Sequence, residues 1–358
     1  MRLDRLWLSD FRNYEAAELA PAPSGLTVVH GANGEGKTNL QEAVGYLATL
    51  SSFRGVPAEA LVRVGADSAV VRAEGEREGR SLLIEASLQR TGRDRVLVNR
   101  QPLRRARDLV GYLRVSVFSP DDLALVKGGP AERRRFLDST LVGLHPKNDV
   151  LQGDLDRVLR QRNTLLKQAG GRLTEEVAST LDVWDAKLAS LGEALAAARA
   201  DLAFRVQPVL AKAYDQVASA SADVEGRYER SWPGSLGDAL AAARSDDLRR
   251  GVSTVGPHRD ELALGLTGMP ARTHASQGEQ RSLALALRLA AHAVVTEEVG
   301  SAPVLLLDDV FSELDPDRAE ALVAHLPAGQ AMLTTAGGVP AGAHPELVVH
   351  VSDGRISA

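Results

Sequence analysis

The residues best suited to chemistry are Gly31-Ala32-Asn33-Gly34-Glu35-Gly36-Lys37-Thr38, which fit the phosphate-loop spacing G-x-x-x-x-G-K-[ST] without a gap. The glycines let backbone N–H groups curl around phosphate oxygens, and a helix starting here adds the positive end of its dipole. Lys37 is placed to reach the β- and γ-phosphates of a nucleoside triphosphate, and the Thr38 hydroxyl to ligate Mg²⁺. A second constellation is Val304-Leu305-Leu306-Leu307-Asp308-Asp309, an apolar run ending in two acids. Asp308 is the candidate Mg²⁺ partner and Asp309 the candidate for positioning an attacking water. Lys37 and Asp308 stand 271 positions apart (308 − 37). If both serve one site, the nucleotide-binding unit is assembled from the two ends of the chain.

The elements that must position these groups are legible nearby. Leu26 to His30 reads as a strand and Asn39 to Leu47 as a helix, the context the loop requires. The run 304–307 suits a central parallel strand covered on both faces, with its carboxylates at the end where an α/β sheet presents ligand-binding groups. Ser276-Gln277-Gly278-Glu279-Gln280 opens a helix expected to run through Val295. Ser276 and Glu279 form a capping box, which explains those two residues alone. Gly278 costs about 1 kcal/mol against alanine in a first turn, and a small residue there lets the helix end approach an anion. A helix from Asp317 and a strand through Thr334-Thr335 follow.

The 358 residues are 44% hydrophobic and hold no cysteine, so a large core is expected and disulfides and thiolate zinc sites are excluded. No apolar run is long enough for a membrane span, and a cytoplasmic protein without a membrane partner is expected. The net charge of −5 confines any nucleic-acid surface to a local patch. One such patch runs from Arg90 to Arg107, with seven arginines against a single acid, Asp94. It suits phosphate backbones, the alternative being a solvated arginine-rich face.

Residues 2–9 read as an edge strand with Leu26–His30 pairing back on it, and 69–98 as antiparallel hairpins. Arg12, one hairpin from the phosphate loop, is either a nucleotide contact or an ordinary surface residue. Pro130 begins a helix carrying Arg133, Arg134 and Arg135 on one face. From 146 to 222 the pattern is helical, split at Gly170-Gly171 into a short hairpin, with Pro208 expected to kink the return arm. Val255 to Asp260 marks re-entry, and spacing assigns His258 no chemical role. The excursion thus begins near 120 and returns near 255.

Together these blocks resemble the SMC-like class of ABC-type ATPases and, more closely, the RecF family. The carriers are Phe11-Arg12-Asn13-Tyr14, His30 to Asn39, Ser119-Pro120-Asp121-Asp122-Leu123, Lys127-Gly128-Gly129-Pro130, Arg133 to Asp138, Gly256 to Asp260 and Asp308 to Asp315. The resemblance implies an α/β fold: an ABC/SMC-like P-loop head from residues 1–120 and 253–358, with a mainly helical arm domain inserted at 121–252. It implies ATP and Mg²⁺ as ligands, with Arg12, Asn13, Asn33, Gly34, Gly36, Lys37, Thr38, Asn39, Ser276, Gly278, Gln280 and Asp315 on the nucleotide. Thr38 and Asp308 would hold the metal, and Lys37, Asp308 and Asp309 would be catalytic. It further implies an ATP-dependent homodimer in which Ser276 and Gly278 of one subunit close over the γ-phosphate held by Lys37 of the other. The implied partners are double-stranded DNA and single-/double-strand junctions at gaps, RecR, and indirectly RecO and RecA, in recombinational repair and the SOS response.

The chain departs from the transporter pattern at Asp309, where Glu is usual, and at Thr334-Thr335, where a switch His is usual. A shorter carboxylate and no imidazole imply slow hydrolysis, which suits a timed clamp better than a motor; the resemblance implies a weak, DNA-stimulated ATPase used as a switch. No glutamine ends the strand near Ser119, so the usual metal contact there is in doubt. The competing readings are the ATPase subunit of a transporter and a DNA-binding clamp that never turns ATP over.

Overall fold

The computed structural model describes residues 2–218 and 221–357. Met1 and residues 219–220, the latter inside the segment expected to be helical to 222, lie outside the described residues, as does the side chain of Glu313. β1 (Arg2–Phe11), β2 (Tyr14–Leu19) and β3 (Gly25–His30) lead to α1 (Lys37–Thr49), then β4 (Ser68–Arg77), β5 (Arg80–Gln89), β6 (Arg95–Val98), β7 (Gln101–Pro102) and β8 (Val115–Phe118). Next come α2 (Ala124–Lys127), α3 (Pro130–Leu144), α4 (Lys147–Ala169), α5 (Glu175–Ala218), β9 (Val224–Glu229), α6 (Leu236–Arg250), β10 (Glu261–Leu266), β11 (Met269–Pro270) and α7 (Ala271–His274). The chain continues through α8 (Gln277–Val299), β12 (Val304–Asp308), α9 (Pro316–Ala324), β13 (Gln330–Thr335), β14 (Leu347–Ser352) and β15 (Arg355–Ser357).

Two compact units result: Met1–Leu123 with Lys212–Ser221 and Gln277–Ala358, and Ala124–Ala211 with Ala222–Ser276. Both ends of the chain therefore build the first unit. The return expected near 253 lies at Gln277, because β10 pairs with β9 in a three-stranded sheet of the second unit.

The first unit holds two six-stranded sheets, in the orders β2-β1-β4-β5-β6-β7 and β15-β14-β3-β13-β12-β8. Contrary to the edge-strand expectation, β1 lies between β2 and β4. A register shift between Leu3 and Arg5 restores the side-chain alternation, so Leu3, Leu6 and Leu8 all reach the core. Nor does β3 pair back on β1; it pairs in parallel with β13 and β14. Its buried run Leu26–Val29 fits a strand covered on both faces. β12 is buried along its whole length between parallel neighbours β13 and β8, as expected. Leu40, Val44 and Leu47 of α1 join Leu306, Met332 and Val351 of one sheet and Leu8, Val71 and Ile84 of the other in one core.

In the second unit α4 and α5 form the expected hairpin, turning at Gly170 and Gly171, both with positive φ (55° and 81°). Leu166, Leu181 and Leu248 cluster there. The fully buried Arg162 joins three elements, donating to Asp185 (2.6 Å), Asp247 (2.7 Å) and Ser253 Oγ (2.9 Å). Two sequence blocks prove to be partners of each other. Arg133 forks onto Glu261 (2.7 Å), Arg134 donates to the Asp260 carbonyl (2.7 Å), and Asp260 accepts from Tyr228 and from Ser231 N. Arg199 on α5 forks onto Asp138 and donates to the Pro257 carbonyl (2.7 Å). The triple-arginine face is thus corrected: Arg133 points inward and Arg134 is half-buried, while Arg135 alone is well exposed. His258 shares a hydrogen bond with the Ser253 carbonyl (3.0 Å), and burial lowers its pKa, so it stands as a neutral structural group.

Candidate functional site

The strand order β3-β13-β12 sets the phosphate loop and the acidic pair one strand apart. Val29 pairs with Thr334, which pairs with Asp308, and all three strands run the same way. Their C-terminal ends therefore open on one crevice, where ligands bind in parallel sheets. Across it the Thr38 hydroxyl donates to Asp308 Oδ1 at 2.7 Å. Thr334 Oγ1 donates to the same oxygen at 2.8 Å and accepts from Asp309 N at 3.0 Å. Burial raises the pKa of Asp308; the hydrogen bonds from Thr38 and Thr334 oppose that shift, Asp309 adds to it, and Arg54 opposes it. Asp309 adopts the left-handed conformation (φ 47°), which turns the chain sharply at the strand end.

The loop itself is braced from several sides. Gly34 and Gly36 have φ of 90° and 110°, and a Cβ at Gly36 would lie 2.4 Å from the Asn13 amide. Asn13 Nδ2 donates to the Glu35 carbonyl (2.8 Å), Asn39 Nδ2 to Asn13 Oδ1 (2.7 Å), and the Tyr14 hydroxyl to the Gly36 carbonyl (3.0 Å). Lys37 Nζ sits between the carbonyls of Gly31 (2.8 Å) and Ala32 (2.7 Å). Asn33 and Gly34 are exposed at the rim. The β14–β15 hairpin, which no sequence pattern singled out, backs the loop: Asp353 N donates to the Glu35 carboxylate, and a Cβ on Gly31 would overlap the Val351 carbonyl at 2.2 Å.

Arg12 forks onto the buried Glu42 (2.7 and 2.8 Å), which also accepts from Ser52 Oγ (2.5 Å). Gln41, likewise unforeseen, ties α1 to the sheet through the carbonyls of Leu307 (3.1 Å) and Met332 (2.9 Å). α8 begins directly after Ser276, with Gln280 buried near its start. A Cβ on Gly278 would come within 2.9 Å of the Arg318 guanidinium, which also donates to Ser282 Oγ (3.1 Å) and pairs with Asp315. Asp315 caps α9 through Arg318 N (3.0 Å), and that bond holds its pKa down. Gly278 and Asp315 are thus linked by Arg318, a residue no local pattern singled out.

The site brings together Lys37, Thr38, Asp308, Asp309 and Thr334, with Asn13 and Asn39 behind the loop. Its hydroxyl and carboxylate oxygens are hard donors that suit Mg²⁺, an ion that takes few protein ligands and completes its shell with phosphate and water. No group of three or more His, Cys, Asp or Glu that could hold a metal occurs among the described residues. In the basic stretch, Arg90, Arg93, Arg95, Arg100, Arg104 and Arg105 are exposed. Among the described residues no helix is long and apolar enough to cross a membrane.

The family model of the RecF/RecN/SMC N-terminal domain matches residues 2–333. The chain belongs to the RecF family. It is 46% identical over 352 residues to the DNA replication and repair protein RecF of Streptomyces avermitilis, covering 94% of this chain and 93% of that one. The RecF of Frankia alni is 45% identical over 356 residues, covering 94% and 93%. Among solved structures, the recombination mediator protein RecF with ATP, described within the RecFOR pathway, superposes with a TM-score of 0.89 at 26% identity, covering 99% of this chain and 97% of that one. An SMC head domain bound to the winged-helix domain of ScpA shares the fold at a TM-score of 0.59 and 16% identity. The ABC/SMC-like α/β fold expected from the sequence is therefore the one observed.

Proposed function

We propose that this RecF-family chain binds ATP with Mg²⁺, pairs head to head through the bound nucleotide on duplex DNA, and hydrolyses ATP slowly to part the pair. The observation that carries the reading is the Thr38–Asp308 hydrogen bond, which puts a loop hydroxyl and a strand-end carboxylate on one point beside Lys37. When bound, Mg²⁺ would neutralise charge on the phosphate oxygens. Lys37 supplies a second positive charge from the loop, and the backbone N–H groups of residues 34–38 supply oriented donors. Thr334 fixes both acids, holding Asp308 by its hydroxyl and Asp309 by its backbone N–H. Asp309 orients the attacking water.

Ser276 and Gly278 of one subunit would close over the γ-phosphate in the partner, which makes the triphosphate the link between heads. The exposed arginines between 90 and 107 would lie along duplex DNA, with the gap junction, RecR, RecO and RecA as the surrounding repair context. The experiment is equilibrium binding of a fluorescent ATP analogue to wild type and Lys37→Met with Mg²⁺ present. Wild type binds; the variant loses binding by at least about tenfold. Equal binding by both would reject the site.

A further inference from the structure

The second unit carries an open edge that nucleotide binding does not use. In its three-stranded sheet, ordered β11-β10-β9, β9 is the outer strand. Thr267 N donates to the Asp223 carbonyl at 2.7 Å, and the register continues as Glu225 opposite Gly265 and Arg227 opposite Ala263. Alternate residues of an antiparallel strand turn their peptide groups outward, so those of Val224, Gly226 and Tyr228 face away from β10.

Gln207 of α5 already engages the first of these groups. Its Nε2 donates to the Val224 carbonyl (2.7 Å), and its Oε1 accepts from Gly226 N (2.6 Å). One side-chain amide thereby makes the two bonds that one residue of a neighbouring parallel strand would make. A Cβ at Gly226 would crowd Leu210 slightly at 3.2 Å and touch Gln207 Oε1 at 3.4 Å, so the amide lies in close contact with the strand backbone. The next outward groups, the Gly226 carbonyl and Tyr228 N, continue the same edge without such a cap among the described residues.

Beside that edge lies a cleft of about 360 Å³ between β9 and the α5 residues Ala200, Ala203 and Phe204. Phe204 is 81% exposed in the middle of its helix. A single exposed aromatic is ordinary, but here it stands next to an uncapped strand edge and a cleft of side-chain size. Glu225 and Arg227 are the two charged residues that line the cleft and they pair with each other (3.4 Å), so its lining carries no net charge.

We propose that the edge of β9 and the Phe204 face of α5 form a docking groove for an extended, uncharged segment of a partner protein. The segment adds a strand to the β11-β10-β9 sheet in the register Gln207 begins, and seats a bulky apolar side chain against Phe204. Main-chain bonds give affinity and the cleft gives selectivity.

The test is selection of short random displayed peptides on the full chain, with counter-selection on Phe204→Asp. The expected peptides are uncharged with one bulky apolar residue. They bind Phe204→Asp and Phe204→Ser at least about tenfold more weakly, and lose a similar factor when alternate backbone amides are N-methylated. Both variants keep the wild-type melting temperature and ATP response, so this proposal and the nucleotide reading fail separately. Absence of enrichment over the counter-selection overturns it. So do peptides of helical periodicity that are indifferent to N-methylation, which would make the groove a helix site. Self-association of wild type that Phe204→Asp abolishes would identify the occupant as a second copy and also overturn it.

Discussion

Thr38 and Asp308 share a 2.7 Å hydrogen bond across 270 positions of sequence. The contact requires β3, β13 and β12 to lie side by side, and it exists only if both ends of the chain fold as one unit. The proposed nucleotide site and the folding of the first unit therefore meet at this point.

That coupling predicts opposite effects from one substitution. The pKa of Asp308 is raised by burial. Between its ordinary and raised values the folded chain holds more protons than the unfolded one, so stability falls as pH rises through that window. Above it the ionised carboxylate is a cost to the ligand-free fold. Asp308→Asn keeps the acceptor for Thr38 and Thr334 without that charge. Its melting temperature without ligand should rise at pH 7.5, while ATP–Mg²⁺ stabilisation drops by more than about 1.4 kcal/mol, tenfold in affinity. Thermal denaturation with and without ATP–Mg²⁺ reads both; a variant stabilised by ligand as strongly as wild type would deny Asp308 its role.

Asp309→Asn should leave ATP binding intact and slow turnover by about 10²- to 10³-fold, the range of a positioned base. Single-turnover phosphate release measures it. Unchanged release would remove Asp309 from the chemistry.

His292 gives a pH prediction outside the site. Its Nδ1 shares a 2.9 Å hydrogen bond with Ser116 Oγ, its Nε2 is buried without a partner, and burial pushes its pKa down to about 4. Between that value and the ordinary 6.5 the unfolded chain binds the extra proton, so stability falls as pH drops through the window. The loss from pH 7.5 to 5 should be ~2 kcal/mol. His292→Leu should flatten that part of the pH profile of urea denaturation; an equally steep profile would assign the loss to other groups.

The exposed arginines of the 90–107 stretch predict a salt effect. Each arginine that neutralises a DNA phosphate steepens the fall of log affinity with log salt by ~0.9. Replacing Arg93, Arg95, Arg104 and Arg105 by Gln should weaken duplex binding and make that slope shallower by about 3 to 4. A slope unchanged across the salt series would place the DNA elsewhere.

What the sequence made legible were contiguous patterns: the glycine loop, the apolar run before Asp308 and the helical hairpin around Gly170. Each is decided by neighbours within a few residues. Gln41, Arg318 and the β14–β15 hairpin were not legible as parts of the site, because each acts through a partner distant in sequence. Residues 2–9 alternate well enough for an edge strand, and the second neighbour that makes β1 internal, β4, begins only at Ser68. The inward turn of Arg133 was hidden for the same reason, since Glu261 lies 128 positions away.

In the proposed function ATP joins two heads through Ser276 of one and the Lys37 loop of the other. Sedimentation velocity of wild type, Lys37→Met and Ser276→Arg, with ATP and Mg²⁺ and with fluorescent-nucleotide binding read on the same samples, tests it most directly. Wild type should be a monomer that becomes a dimer with ATP, Lys37→Met a monomer that binds nucleotide at least about tenfold more weakly, and Ser276→Arg a monomer that still binds it. A Ser276→Arg protein that dimerises like wild type, or a wild type that stays monomeric with nucleotide bound, would contradict it.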